Sequence, residues 1–349
     1  MAEPIPISEP IPISETLRQT AAELGFPLLG IVPAEKPAFL PEFHRWLEAG
    51  MNAEITYLRD HADARSHPSG VLPDVRTVLM LGMPFGNLEA IVRKEYADHP
   101  IHALLRRLPD AAAESVSVGY GFIAEYAASG IDYHDVIRRQ LRTFQKALKA
   151  LLPAQTSRGI VDTAPFFERE FAERAGLGFL GRSRMLIHPH FGSFLFLAAV
   201  LTTAELPQDP VPPKGLLSLA ERQKMRQACE TCGRCQTACP TGALSAEGLD
   251  ARKCVSALTI EHRGPIPAPL QSSIGLRLLG CDECQRACPW NQSFLKQRPR
   301  TALPLLPLLS LTEETFRQTF AHTPFWRAEL AGLQRNAQTC LKNLPKPLP

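Results

Sequence analysis

Eight of the nine cysteines in this chain are spaced as ligands of two iron–sulfur clusters. Seven of them fall in two runs that both end in Cys-Pro: Cys229-x2-Cys232-x2-Cys235-x3-Cys239 and Cys281-x2-Cys284-x3-Cys288. A cubane cluster takes four thiolates. Three can come from one tight run, while the cysteine before the proline ligates the other cluster. The second run is one cysteine short, and Cys254 lies between the runs, where it can complete the set.

The spacing assigns one cluster to Cys229, Cys232, Cys235 and Cys288, and the other to Cys239, Cys254, Cys281 and Cys284. Zinc is the alternative, because paired Cys-x2-Cys segments also build zinc ribbons. Zinc gives no reason for a third cysteine at the same interval or for two Cys-Pro endings. Disulfides are favoured even less, because the first residues do not have the features of a secretory segment. The chain is therefore predicted to transfer electrons in a reducing cytoplasm.

Length and composition indicate an ordinary globular protein. The chain has 349 residues, enough for two or three domains, with 45% hydrophobic and 21% charged residues. Its net charge of +3 is too small to indicate nucleic-acid binding by itself. The longest apolar stretch, residues 191–201, is too short to span a bilayer, so no membrane partner is expected.

Apolar periodicity predicts alternating helices and strands in the first two thirds of the chain. Helices are expected at residues 16–25, 41–50, 132–152 and 165–175, and strands at 76–83, 159–161 and 194–201. Ser14 is the expected N-cap of the first helix. The alternation predicts an α/β layer fold.

Four segments follow from these patterns. They are a proline-rich disordered tail (1–14), an α/β catalytic domain (15–215), a ferredoxin-like module with two [4Fe-4S] clusters (216–295) and an abbreviated helical C-terminal segment (296–349).

Asp162 is the best candidate for an acid in the α/β domain. It follows a predicted strand at a place where clefts usually open, and Ile160, Phe166 and Phe167 surround it in sequence. Apolar surroundings raise the pKa of a carboxyl group and make it a proton donor near neutral pH. The alternative is that Asp162 or Thr163 simply caps the next helix.

Other polar residues carry weaker signals. His134 begins the long helix, where a lone histidine more often caps or packs than reacts. His188 and His190 flank a proline in a turn and are expected at the surface. Trp290, just after the last Cys-Pro, is expected to pack over a cluster and shield it from water.

The glycine-rich segment Gly176-x-Gly178-x-x-Gly181 matches a dinucleotide fingerprint in letters alone. It follows a helix instead of a strand, so the structural context of that fingerprint is missing. Its glycines are expected to let the backbone approach a bulky planar ligand or a neighbouring helix.

Several longer segments together resemble one enzyme family. They are Asp132-Tyr-His134, Val161-Asp-Thr-Ala-Pro165, Glu168-Arg169, Arg174-Ala-Gly-Leu-Gly178, Leu258-Thr-Ile-Glu261, Gly280-Cys-Asp-Glu-Cys-Gln-Arg-Ala-Cys-Pro-Trp-Asn291 and Arg335-Asn-Ala337. In these segments the chain resembles the epoxyqueuosine reductases, which are cobalamin- and iron–sulfur-dependent tRNA-modifying enzymes. The likeness covers nearly all of residues 16–340 in the expected order.

The resemblance implies a base-off cobalamin held between a cobalamin-binding α/β domain and the clusters. It implies reduction of epoxyqueuosine to queuosine at the tRNA wobble position, with electrons entering at the outer cluster. Asp162 matches the proton donor of the family. The residues expected to contact the corrinoid are Tyr133, His134, Gly178, Gly181 and Arg182. We also expect a low-potential electron donor of flavodoxin or ferredoxin type, and a monomeric protein.

Some positions depart from the family pattern. Gly178-Phe-Leu-Gly-Arg-Ser183 stands where Gly-Trp-x-Gly-Lys-Asn is common, and Ala257 replaces a usual tyrosine. Two alternative functions are compatible with the same residues. One is a corrinoid and iron–sulfur reductase that acts on a different small molecule, and the other is a ferredoxin-type electron carrier that catalyses no reaction of its own.

Overall fold

The computed structural model describes residues 12–108, 119–208, 211–296 and 298–345. The strands in these residues are β1 (Leu28–Pro33), β2 (Thr77–Pro84), β3 (Arg106–Leu108), β4 (Tyr120–Ile123), β5 (Ser157–Ile160), β6 (Phe179–Leu180), β7 (Leu186–Ile187), β8 (Leu195–Thr202), β9 (Arg277–Leu279) and β10 (Arg300–Pro304). The α-helices are α1 (Ile13–Glu23), α2 (Leu40–Glu48), α3 (Tyr57–Asp60), α4 (Phe85–Glu95), α5 (Tyr133–Leu151), α6 (Glu168–Arg174), α7 (Leu219–Glu230), α8 (Arg234–Thr237), α9 (Val255–Ile260), α10 (Ala268–Ile274), α11 (Glu283–Arg286), α12 (Gln292–Leu295), α13 (Leu305–Leu309), α14 (Glu313–Phe320) and α15 (Glu329–Lys342).

A four-stranded sheet in the order β1-β2-β8-β5 forms the main layer, and each neighbouring pair is antiparallel. All eight residues of β2 are buried, because side chains on both faces of the sheet meet apolar partners. Leu79 and Leu81 pack with α5 on one face, whereas Val78 and Met80 pack with α6 on the other. Helices therefore cover both faces, and the predicted α/β layer fold is confirmed.

Helix α5 is the longest in the described residues and lies where the apolar pattern predicts it. Five apolar side chains at helical spacing are buried on one stripe: Val136, Ile137, Leu141, Phe144 and Leu148. The side chain of Asp132 caps its first turn by accepting a hydrogen bond from the backbone N–H of His134, at 2.9 Å. This cap fixes where Tyr133 and His134 enter the helix.

A second sheet, in the order β3-β10-β4-β9, joins the three parts of the chain. Strand β10 pairs antiparallel with both β3 and β4, and β9 pairs parallel with β4. The C-terminal segment therefore carries helices α13 to α15, as expected, and in addition one strand. Its Leu303, Phe320 and Leu333 belong to the same core cluster as the main sheet.

Two helix starts differ from the sequence prediction. Helix α1 begins at Ile13 after Pro12, so Ser14 lies in its first turn and is not the N-cap. Of the predicted tail, residues 1–11 lie outside the described residues. Helix α6 begins at Glu168, three residues later than predicted, and Phe167 is its N-cap.

Short helices and tight turns build the ferredoxin-like module. Gly233, between Cys232 and α8, has a φ of +66°, a left-handed conformation that glycine adopts without a steric penalty. Ser218 and Glu221 form a capping box that begins α7. A search of the described helices finds none that is long and apolar enough to cross a bilayer.

Asn336 on α15 joins the C-terminal segment to the module. Its buried amide donates to the carbonyl oxygens of Thr259, at 2.7 Å, and Leu278, at 3.0 Å. Asn336→Ala leaves both carbonyls buried without a donor, so we expect it to lower the free energy of unfolding by about 2–3 kcal/mol. Thermal unfolding followed by circular dichroism measures the loss.

Gln338→Ala is the matched control, because Gln338 is exposed on the same helix. It should change the free energy of unfolding by less than about 0.5 kcal/mol. Equal unfolding temperatures for the two variants would contradict the bridging role of Asn336.

Candidate active site

A large cavity lies between the α/β domain and the ferredoxin-like module. Its volume is about 1660 Å³, beyond the roughly 300–1,000 Å³ of ordinary ligand pockets. The α/β domain lines it with α2, the start of α5, the loop after β5 and the turn between β6 and β7. The module lines it with the thiols of Cys229, Cys239, Cys254, Cys281 and Cys284. A space of this size can hold a large planar cofactor together with a substrate.

Asp162 lies in the cavity wall just after β5. Its φ of +52° is uncommon for a residue with a side chain, and such backbone strain clusters at functional sites. The turn leaves 66% of the side chain exposed. Because α6 begins only at Glu168, the alternative that Asp162 or Thr163 caps that helix is wrong.

The contacts of Asp162 oppose the protonated form that its apolar neighbours in sequence predict. Desolvation within the cavity raises the pKa of Asp162, but the nearby His134 imidazole and a hydrogen bond from Tyr133 outweigh it and lower that pKa to about 2. The Tyr133 hydroxyl donates to Oδ2 at 2.6 Å, and His134 Nε2 lies 3.7 Å from the same oxygen. These two contacts favour the carboxylate form of Asp162 at neutral pH.

His134 is paired with two carboxylates and also lines the cavity. Its Nδ1 lies 2.7 Å from Oδ1 of Asp132, and its ring stacks on that of Tyr133 with centroids 4.1 Å apart. Burial lowers the pKa of His134, but the hydrogen bond to Asp132 and the nearby Asp162 carboxylate raise it to about 9. This raised pKa favours the protonated imidazole at neutral pH. His134 is therefore placed for more than the capping or packing expected for a lone histidine.

Glu168 is a site residue for which sequence reasoning proposed no role. Burial and the nearby Asp162 carboxylate together raise its pKa to about 8. Its Oε1 is buried and has no hydrogen-bond partner among the described residues. Arg65, also in the cavity wall, donates to the carbonyl oxygen of Phe166 at 2.9 Å. No sequence pattern marks this glutamate, because a glutamate in a first helical turn usually just complements the helix dipole.

The glycine-rich turn contributes unequally to the cavity. Gly181 and Arg182 line it, whereas Gly178 does not. A Cβ atom at Gly178 would come within 2.5 Å of the carbonyl oxygen of Ile187, so this glycine is needed for the pairing of β6 with β7. The backbone N–H of Arg182 points to the sulfur of Cys229 at 3.4 Å. This turn therefore brings the α/β domain against the module.

The first expected set of cluster ligands comes together in the structure. The pKa of Cys288 is raised to about 11, first by burial and then by the neighbouring thiols of Cys229, Cys235 and Cys232. Cys232 is exposed, whereas Cys235 and Cys288 are buried. Trp290 packs against Cys229 and Cys288, with its ring edge-on to Phe179 at 5.8 Å.

The second expected set also comes together, on the cavity side. Burial raises the pKa of Cys284, and the neighbouring thiols of Cys281 and Cys254 raise it further. Cys239 has the same effect on Cys254. Cys235, from the first set, is another neighbour of Cys284, so the two sets adjoin.

Two sets of four thiols fit two cubane clusters, each of which takes four thiolates. In the described part of the chain, no three His, Cys, Asp or Glu side chains lie close enough together to hold a single metal ion. A cubane spaces its ligands more widely than one ion does, because its iron and sulfide atoms lie between them.

His188 is a correction to the sequence prediction. Only 1% of it is exposed, and its Nε2 lies 2.9 Å from the carbonyl oxygen of Gly215. It therefore anchors the link that leads into α7. His190 is exposed, as expected.

Comparison with known proteins assigns both parts of this site. Residues 228–291 match the family model "4Fe-4S double cluster binding domain", and residues 65–163 match "Epoxyqueuosine reductase QueG, DUF1730". The epoxyqueuosine reductase of Pseudomonas aeruginosa is 32% identical over 344 residues, which cover 96% of this chain and 86% of that protein. The chain belongs to the epoxyqueuosine reductase family.

Other epoxyqueuosine reductases agree. The Escherichia coli enzyme is 29% identical over 99% of this chain and 84% of its own length. A crystal structure of an epoxyqueuosine reductase with an epoxyqueuosine-modified tRNA-Tyr stem loop superposes with a TM-score of 0.75 at 27% identity, covering 95% of this chain and 81% of that one. A Bacillus subtilis epoxyqueuosine reductase, solved with its catalytic aspartate loop swung out of the active site, also gives a TM-score of 0.75 at 26% identity, over 95% of this chain and 82% of its own.

The two matched family models contain the expected cluster ligands and several of the polar residues of the cavity. The cluster model contains all eight expected cluster ligands, and the epoxyqueuosine reductase model contains Asp132, Tyr133, His134 and Asp162. The unusual turn at Gly178–Ser183 lies outside both. Its Phe179 is fully buried beside Trp290, so an apolar ring at this position contacts the module.

The cluster sets generate a direct test. Cys254→Ser removes one thiolate from the second set, so bound iron should fall from about eight to nearer four atoms per chain. Iron and acid-labile sulfide, measured after anaerobic reconstitution, give the count.

Cys340→Ser is the matched control, because Cys340 is buried in α15 and belongs to neither set. This variant should keep about eight iron atoms per chain. Full iron content in Cys254→Ser would overturn the assignment of Cys254.

Proposed function

We propose that this chain reduces epoxyqueuosine to queuosine at the wobble position of tRNA. The single observation that carries the proposal is that one cavity is lined both by Asp162 and by thiols from both cluster sets. An electron path and a proton path thus end in the same space. The crystal structure of a relative with an epoxyqueuosine-modified stem loop supports tRNA as the substrate.

Base-off cobalamin is the cofactor that fits this space. The cavity is larger than a substrate pocket, and Tyr133, His134, Gly181 and Arg182 would contact the corrinoid from the α/β side. When bound, the corrinoid supplies reducing power at the epoxide carbon. Tyr133 also stacks on Phe196, with ring centroids 4.5 Å apart, which holds one wall of the cavity in place.

The exposure of the cysteine ligands indicates which cluster is nearer the cavity and which is nearer the surface. Cys239, Cys254, Cys281 and Cys284 all line the cavity, so this set holds the inner cluster. The other set contains the exposed Cys232 and holds the outer cluster, where a donor of flavodoxin or ferredoxin type delivers electrons. The protein acts as a monomer in the cytoplasm, where thiolates stay reduced.

Removal of the epoxide oxygen balances as epoxide + 2 e⁻ + 2 H⁺ → alkene + water. Both C–O bonds break, a carbon–carbon double bond forms, and the oxygen leaves with two protons. Asp162 donates a proton to that oxygen. Substrate and cofactor displace water from its largely exposed side chain, and this desolvation raises the pKa of the carboxyl group toward the range of a proton donor.

An anaerobic assay tests the function. Reconstituted protein, cobalamin and a low-potential reductant are mixed with an anticodon stem loop carrying epoxyqueuosine, and the nucleoside is followed by mass spectrometry. Loss of one oxygen only in the presence of cobalamin is expected. If both clusters and the corrinoid are bound and nothing is converted, the substrate assignment is wrong.

Asp162→Asn tests the proton donor. The amide keeps the size of the side chain and its contact with Tyr133 but carries no transferable acidic proton, so turnover should fall by about 10²–10⁴-fold. Iron content and corrinoid binding should stay at parent levels. Full turnover in this variant would exclude Asp162 as the donor.

A further inference from the structure

The proton balance leaves one donor unnamed. Two protons leave with the oxygen, and a single carboxyl group such as Asp162 carries at most one at a time. In addition, its contacts with Tyr133 and His134 favour the carboxylate form of Asp162. A second acid next to Asp162 that holds its proton at neutral pH would supply the missing proton.

The geometry around His134 meets this requirement. Its Nδ1–H points to Oδ1 of Asp132, at 2.7 Å, and the same carboxylate caps α5, so Asp132 sets the orientation of the ring. Its Nε2 faces Oδ2 of Asp162 at 3.7 Å. That nitrogen is buried and has no hydrogen-bond partner among the described residues.

Two carboxylates face His134, and both favour the protonated form of its imidazole. Asp132 comes from the N-cap of α5, and Asp162 comes from the loop after β5. Tyr133 is neutral, because burial and then the Asp162 carboxylate raise its pKa. The cations in reach act on the carboxylates: Arg138 on Asp132, and Arg169 on Asp162.

We propose that His134 is the second proton donor of this reaction and delivers its proton through Asp162 to the departing oxygen. The inference rests on the proposed function. In the step, the Nε2–H bond breaks and an O–H bond forms on Oδ2 of Asp162, which then protonates the oxygen. The imidazole is left neutral, still bonded to Asp132, and takes a proton from water once the product leaves.

The 3.7 Å gap is longer than a hydrogen bond and must shorten by about 0.5–1 Å. Catalytic hydrogen bonds often tighten only when substrate is bound. Displacement of water from the cavity favours this closure, because it strengthens the attraction between imidazolium and carboxylate.

Asp132→Asn tests the role of His134 without removing a catalytic group. Asparagine keeps the helix cap and an acceptor for Nδ1–H, but it removes the negative charge. Parent activity should persist at lower pH and fall as the pH rises through about 9, where His134 loses its proton. In the variant, that fall should move to lower pH by about 1–2 units.

Asp135→Asn is the matched control. Asp135 lies three residues further along the same helix, pairs with a different histidine, His322, at 3.0 Å, and does not line the cavity. It loses the same charge, and its pH profile should match that of the parent. A purely structural role for Asp132 would lower activity at every pH and leave the midpoint where it was.

A second readout does not depend on turnover. Diethyl pyrocarbonate modifies only the neutral imidazole, so the rate of modification at His134 against pH, mapped by mass spectrometry on the full holoprotein, gives its titration midpoint. The expected midpoint is near 9 in the parent and lower in Asp132→Asn, with the exposed His190 as internal reference. A parent midpoint near the ordinary value of about 6.5 would overturn the proposal.

The outcomes separate the two hypotheses. A parent chain that binds both cofactors yet converts no epoxyqueuosine overturns the proposed function, and this inference falls with it. The second outcome is an active parent in which Asp132→Asn lowers the titration midpoint of His134 but leaves unchanged the pH at which activity falls. That outcome overturns the role of His134 alone.

Discussion

One buried amide ties the ferredoxin-like module to the α/β domain. Asn291 follows the last Cys-Pro-Trp and is fully buried. Its Oδ1 accepts from the backbone N–H of Ser193 at 2.7 Å, and its Nδ2 donates to Ser193 Oγ and to the carbonyl oxygen of Gln285. Gly192 makes the approach possible, since a Cβ atom there would come within 1.9 Å of Oδ1. This contact helps to hold the thiols and Asp162 on the walls of one cavity.

A buried ionic network supports the same joint. Glu125 is 3% exposed, and its backbone N–H donates to Oδ2 of Asp282, between two cluster ligands, at 2.6 Å. Its carboxylate pairs with Arg298 from the C-terminal segment, at 2.6 Å. Removing one partner of such a pair leaves an uncompensated buried charge, so the network imposes one arrangement. All three parts of the chain therefore meet at the cluster sets.

Local patterns in the sequence were enough for the features set by neighbouring residues. The cysteine spacing indicated two sets of four ligands. The apolar patterns located β2, β8 and α5, because burial on both faces leaves a continuous apolar run and burial on one stripe leaves a helical period. The protonation of Asp162 could not be read in this way. Its partners Tyr133 and His134 lie about 30 residues earlier in the chain, and polar contacts at that distance leave no local pattern. The same holds for β10, which finds its neighbours β3 and β4 only in the folded chain.

We propose that the inner cluster and the corrinoid adjoin the same cavity. The most direct test is an anaerobic titration of the cluster-loaded chain with cob(II)alamin, followed by electron paramagnetic resonance before and after one-electron reduction of the clusters. We expect a base-off cobalt signal that broadens or splits when the inner cluster becomes paramagnetic, because the two centres face the same space. A cobalt signal that does not change on cluster reduction, or no binding of cobalamin, would contradict it.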